Sequence, residues 1–349
     1  MNILKKIIFL HTAVLCFLYF TFNINACKDS LVYTETMYFD IRALDYSDYH
    51  FIPDTLYKSS FVDFMNNTSG TYLQSTYDNQ ILSSDSTFEI WVQTEDTLQD
   101  KRIGVALTML YEEPAGGYSD TLINTTQIPG IRFFGIFRKL NPDEFYIYSY
   151  AGMIGLKIDV PENSRAGITY KTNNGKKYGI SSYESNESDT LLLKMFKTEN
   201  QNPDDAPLAW ELKLKNVYRL PVKSIFESGF VLNIFYDSSG VLVKNIPDIF
   251  GNPKSLMTIT NLDRYTGNTQ NPPPDGVFDF LPDLTIDTAE GDIIFPSLRP
   301  FHENFINANI NASYYFSELY TQAKGRAQGA ANANSYFIIG YFESIHISQ

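Results

Sequence analysis

The chain has 349 residues, and its 40 acidic against 27 basic side chains leave a formal net charge of −13. That balance, with no basic run, excludes nucleic acid as a partner, because phosphates demand Lys and Arg. Aromatic side chains make up 15% of the chain, with 24 Tyr and 26 Phe, and they favour strands and surfaces that are half wet and half apolar.

Residues 1–26 read as an export signal. Lys5 and Lys6 precede an apolar run over 7–22, interrupted by His11 and Thr12 and by Thr21. This run is shorter and more broken than the about 20 apolar residues of a membrane helix. Ile24-Asn25-Ala26-Cys27 follows and resembles the lipobox of bacterial lipoproteins. Lys28-Asp29-Ser30 resembles the charged signal that sends such proteins to the cell surface. Cys27 is therefore the expected lipid attachment site, and the outer membrane the expected partner of the N-terminus, with the chain on its periplasmic or surface face. The other cysteine, Cys16, lies inside the signal, which leaves no disulfide pair and no Cys-based metal site.

Residues 27–84 form a polar, aromatic segment with short strands expected at 32–34 and 36–39. The clear strand Phe88-Glu89-Ile90-Trp91-Val92 and a second over 103–110 are expected to pair antiparallel through the connection 96–100. Strands over 131–137 and 144–150 flank the turn Lys139-Leu140-Asn141-Pro142-Asp143. Strands over 153–160 and 166–172 follow, and Asn173-Asn174-Gly175 predicts a hairpin turn into 177–182, since Asn-Gly adopts positive φ readily. The polar stretch 185–189 marks an internal boundary between a first β region, 85–184, and a second, 185–349. Strands are expected at 191–196, 210–218 and 229–236. In the second of these, Trp210-Glu211-Leu212-Lys213-Leu214-Lys215 alternates apolar and charged residues. Three consecutive prolines, Pro272 to Pro274, exclude helix and central strand. Residues 293–301 read as extended. Phe316, Leu319, Tyr320, Ala323, Ala327, Ala330 and Ala331 recur at helical spacing, predicting one C-terminal helix over about 316–334, and 336–339 a closing strand. The fold class is mainly β: antiparallel sandwich-type domains with a single helix.

Chemistry-bearing motifs are sparse. His50, His302 and His346 have no zinc spacing. No nucleophile elbow or Gly-rich phosphate loop occurs. Asp275, Asp279 and Asp283 are candidate Ca²⁺ ligands by residue type, without the alternate-position spacing of an EF-hand loop, and a solvated turn-rich surface is the competing reading. Tyr146, Tyr148 and Tyr150 share one strand face, a candidate glycan or protein platform. No cofactor is expected.

From residue 191 on, a series of motifs resembles a specific family. Leu191-Leu192-Leu193-Lys194-Met195-Phe196-Lys197, Asn202-Pro203 and Trp210 through Asn216, Tyr218 and Arg219 open the series. Leu262-Asp263-Arg264, Asp275-Gly276-Val277-Phe278-Asp279-Phe280 and Gly291-Asp292-Ile293-Ile294-Phe295-Pro296 continue it. Pro300-Phe301 and Phe316-Ser317-Glu318-Leu319-Tyr320 close it. Upstream, Glu89-Ile90-Trp91-Val92 fits as well. Together, residues 85–341 resemble one N-terminal-type repeat of SprA, the very large outer-membrane translocon of type IX secretion, which also serves gliding motility. The segment Leu298-Arg299-Pro300-Phe301-His302 departs from the family's usual Leu-Glu-Pro-Phe-Gly. The resemblance implies a non-enzymatic envelope protein working with secretion machinery. A surface lipoprotein that binds glycans or host polymers is the alternative.

Overall fold

The computed structural model describes residues 32–53, 61–62, 65, 88–95, 101–148, 151–172, 175–183, 186, 189–267 and 272–347. The export signal, Cys27, the 96–100 connection, Tyr150 and the Asn173-Asn174 half of the hairpin turn lie outside the described residues.

The strands in chain order are β1 (Val32–Arg42), β2 (Tyr49–Phe51), β3 (Glu89–Gln93), β4 (Lys101–Leu107), β5 (Arg132–Lys139), β6 (Phe145–Tyr148), β7 (Met153–Leu156), β8 (Ala166–Lys171) and β9 (Lys177–Tyr178). They continue with β10 (Leu191–Lys197), β11 (Val217–Arg219), β12 (Val231–Ser238), β13 (Val241–Val243), β14 (Asn245–Pro247), β15 (Pro253–Ser255), β16 (Ile286–Asp287), β17 (Asp292–Ile294) and β18 (Tyr336–Ile347). The protein is mainly β, with antiparallel sheets packed over shared cores and few, short helices.

A closed ring is the central feature. β10 pairs with β4, β4 with β5, β5 with β3, β3 with β8, and β8 returns to β10. All these pairs are antiparallel except β10 with β4. Trp91, Ala106, Phe137, Leu191, Leu193 and Met195 form one buried cluster within the ring. Alternation sends Ile90, Val92, Ile168 and Phe196 into a second cluster, shared with the β2-β7-β6 sheet. Strands buried on both faces carry apolar residues at consecutive positions, which is why 191–193 reads Leu-Leu-Leu. A buried carboxylate accompanies Trp91: Glu89 accepts from Trp91 Nε1 at 3.1 Å and from the Ser182 backbone N–H at 2.9 Å, and Lys139 Nζ lies 2.6 Å away.

The ring corrects two expectations. β3 and β4 are not partners, because β5 lies between them. β10 follows the 185–189 stretch yet pairs with β4 and β8, so the barrel crosses the expected boundary. Polar composition marks a surface loop, and a loop between barrel strands is as polar as a linker. The 27–84 segment is likewise not independent. β1 pairs with β18 along 32–42 in a four-stranded sheet ordered β1-β18-β12-β13, over the largest core cluster.

Two local expectations also change. The 210–218 strand is a short helix, Pro207–Leu212, followed by β11. Pro207 sits in the first helical turn, where its missing N–H costs nothing, and Ala209, Trp210 and Leu212 are its buried face. The single helix over 316–334 is two one-turn helices, Glu318–Thr321 and Lys324–Ala327. Between them Gln322 (φ −131°, ψ 152°) and Ala323 (φ −57°, ψ 147°) are extended. Gly325 and Gly329 weaken a longer helix by about 1 kcal/mol each. The hairpin expectation holds: Tyr170 pairs with Tyr178 and Lys171 with Lys177, with Gly175 at φ +88°.

Candidate functional site

The residues that carry the family resemblance are mostly interior. Asn216 is fully buried; its Nδ2 donates to the Phe295 carbonyl at 2.9 Å, and the Phe295 N–H donates to the Asn216 carbonyl at 2.9 Å. The Tyr218 hydroxyl donates to the Ala43 carbonyl at 2.9 Å, and its ring packs edge-on to Phe295. Trp210 Nε1 donates to the Tyr320 carbonyl at 3.0 Å. Phe301 is buried against Phe295 and Tyr336, and Pro296 and Pro300 are buried beside these rings in the chain. In the loops after the Leu256–Ile259 helix, Asp263 accepts from Thr258 Oγ1 at 2.9 Å and from the N–H groups of Asp275 and Gly276 at 3.0 and 3.1 Å. Asp279 accepts from the Arg264 N–H at 2.7 Å, and Arg264 Nη2 reaches the Met65 carbonyl at 3.1 Å.

The Ca²⁺ candidates do not converge. Asp275 caps the N–H groups of Gly267 and Val277, Asp279 faces Arg264, and Asp283 sits in a turn at φ +63°. Among the described residues no three His, Cys, Asp or Glu side chains form a metal-sized cluster. The tyrosine platform is corrected too: Tyr148 is buried in the core cluster against Tyr146, so that face is packed.

A cleft of about 670 Å³ lies where β10, the loop after it, the Pro207–Leu212 helix and the break between the two C-terminal helices meet. At its floor Lys197 Nζ and Lys213 Nζ share the Asp48 carboxylate, at 3.4 and 3.8 Å. His50, fully buried, places Nε2 3.0 Å from the same carboxylate. Each position has a structural cause. The β10 register shifts between Met195 and Lys197, a bulge of the kind that re-aims a side chain. Lys213 is held by an isolated bridge to His50, and the next residue's N–H donates to the Tyr49 carbonyl at 2.9 Å. Lys213 and Lys324 both stand over the Tyr46 ring, at 5.7 and 5.4 Å.

Electrostatics follow from crowding. Burial pushes the Lys213 ammonium below its usual range, and the attraction of Asp48 and Glu162, weakened by repulsion from Lys197 and Lys324, does not offset it. Burial lowers His50 to about 4 despite Asp48. The ring is thus neutral at physiological pH, with Nε2–H donating to Asp48, while Nδ1 has no partner among the described residues. Burial opposes ionisation of Asp48, but His50, Lys197 and Lys213 together hold it well below the carboxylate range.

The walls are preorganised and polar. Asn202 Oδ1 accepts from the N–H groups of Asp204 and Asp205 at 3.0 and 2.9 Å. The Asn200 N–H donates to the Glu162 carbonyl at 2.7 Å. Gln201 Nε2 donates to the Ala209 carbonyl. Such a site suits reversible binding by charge and hydrogen bonding. The cleft's cations escaped sequence reasoning because Asp48, Lys197, Lys213 and Lys324 are far apart in the chain. Lys197, Asn202-Pro203, Trp210 and Lys213 all fall within the motifs quoted from the sequence, but nothing in the chain showed that they converge. No family model matches this chain, and no curated protein matches it.

Proposed function

We propose that the chain is a non-enzymatic protein of a bacterial outer membrane, lipid-anchored through Cys27, serving secretion, motility or envelope assembly beside machinery of the type IX kind. The observation that carries this reading is the role of the family-like residues. Asn216, Tyr218 and Trp210 make buried hydrogen bonds within the chain, and Asp263 and Asp279 make part-buried ones, as expected of residues that specify a scaffold rather than a reaction. Among the described residues no helix is long and apolar enough to cross a membrane, so the lipid is the anchor the reading relies on. Deleting the gene and measuring type IX cargo export and spreading tests it. Loss of either supports the reading, and unchanged behaviour in both overturns it. Membrane fractionation of Cys27→Ser tests the anchor, and a variant that stays with the membrane refutes it.

A second reading, a surface lipoprotein that binds glycans, is favoured by one feature. The cleft is lined by amides and hydroxyls over aromatic residues, the chemistry that recognises sugars. A glycan array probed with the detergent-solubilised full chain tests it, and absence of any saccharide hit overturns it.

A further inference from the structure

We infer that the cleft binds a saccharide bearing a carboxylate, with Lys197 and Lys213 taking the acid group and the amide-rich walls taking the hydroxyls. The inference rests on the glycan-binding reading and adds a charge requirement to it.

Three observations lead there. First, the floor holds more positive than negative charge. Lys197 and Lys213 divide one Asp48 carboxylate, and the adjacent His50 contributes no charge at physiological pH. Lys324, across the Tyr46 ring, has no ion-pair partner among the described residues. A ligand carboxylate supplies the missing counter-charge in a partly desolvated place, where a charge-assisted hydrogen bond is roughly twice as strong as a neutral one.

Second, two side chains lining the cleft, Thr198 and Gln201, are themselves more than nine-tenths buried. Thr198 Oγ1 and Gln201 Oε1 have no hydrogen-bond partner among the described residues. A buried polar atom left unpaired costs about 1–3 kcal/mol. Those two atoms have almost no accessible surface, and the amides that sugar hydroxyls reach in the same walls are those of Asn200, Asn202 and Gln322.

Third, the rim selects against denser anions. Glu162, Asp204 and Asp205 line the opening, with Arg326 3.9 Å from Asp204. These carboxylates repel a phosphate dianion or a polyanionic backbone, yet accept hydrogen bonds from hydroxyls. A monoanion rich in hydroxyls meets both the floor and the rim. The volume, about 670 Å³, falls in the range of about 300–1,000 Å³ typical of small-ligand sites.

The test is an array of oligosaccharides carrying uronic and sialic acids beside their neutral counterparts, probed with the detergent-solubilised full chain. Calorimetry then compares the best acidic hit with its methyl ester, which keeps every hydroxyl and removes the charge. The expected result is hits confined to acidic sugars, with the ester at least about tenfold weaker. Lys197→Met and Lys213→Met should each cost about tenfold in affinity for the acid. The ester comparison uses the wild-type chain, so it stands even if a lysine variant fails to fold. Equal binding of acid and ester overturns the charge requirement while leaving the glycan reading intact. No saccharide hit at all overturns both. Displacement of the sugar by an equal concentration of inorganic phosphate, or full affinity in folded lysine variants, also overturns the inference.

Discussion

Arg219 and Asp292 face each other across β11 and β17 and are joined by two hydrogen bonds, Nε to Oδ1 at 3.0 Å and Nη2 to Oδ2 at 3.1 Å. The Tyr49 hydroxyl donates to the same carboxylate and accepts from Arg219 Nη2 at 3.2 Å. The cluster ties β2, from the N-terminal segment, to a sheet formed more than 160 residues later. Because the Asp292 side chain is buried, removing its cation leaves an uncompensated charge. Arg219→Met should cost about 3 kcal/mol in urea unfolding. A loss below about 1 kcal/mol would mean that Tyr49 is sufficient for Asp292.

Two motif glycines should differ sharply. Gly291 has φ +78°, and a Cβ there lies 1.9 Å from the Val222 carbonyl oxygen. Gly291→Ala combines left-handed strain with a backbone clash and should cost about 3 kcal/mol. Gly276 has φ +85° in open space, so Gly276→Ala should cost about 1 kcal/mol. Comparable midpoints for the two variants would refute the packing at Val222.

His50 should make the protein acid-sensitive. Its folded pKa, lowered to about 4 from 6.5 by burial, lies below the unfolded value. The unfolded chain therefore binds the proton first as pH falls, and stability declines from about pH 6.5 down to about 4. The loss amounts to about 3 kcal/mol for this group. Asp48, Lys197 and Lys213 are the charged groups facing it. His50→Gln should flatten stability between pH 6.5 and 4, and an unaltered slope would assign the effect elsewhere.

Asp279 should behave in the opposite sense. Burial, helped by Asp263 and resisted by the Arg264 N–H, raises its carboxyl to about 6. A raised folded pKa means stability that is fully present below the ordinary carboxylate range and falls as pH rises through about 6. Asp279→Asn retains an acceptor for Arg264 and removes the charge. It should be about 1–2 kcal/mol more stable than the parent at pH 8, with the gap closed by pH 4. A destabilised variant at pH 8 would show that the ionised form is needed for the loop.

Local chemistry left a clear trace in the sequence. Aromatic and β-branched runs marked the longer strands but not β2 or the two- and three-residue strands β13 to β16, Asn-Gly located the β8–β9 hairpin, and consecutive prolines ended regular structure at 272–274. Periodicity misled at two places for a physical reason. Trp210, Leu212 and Leu214 alternate whether the backbone is extended or turns once as a helix and then straightens. The spacing from Phe316 to Ala331 also could not register that Gln322 and Ala323 go extended to wall the cleft.

What the sequence determined by itself was the class: an acidic, aromatic-rich, mainly β chain. It also supplied residues whose hydrogen bonds within the chain specify loops, such as Asn216, Asp263 and Asp279. Tertiary structure decided which strands meet. Closing the barrel needs β10 beside β4, about 90 residues earlier in the chain, and no local pattern encodes such a partner, because strand edges are chemically alike until a core selects among them. The same holds for the cleft. Its charge arises from lysines on separate elements gathered around one aspartate, and that excess exists only after the chain has folded.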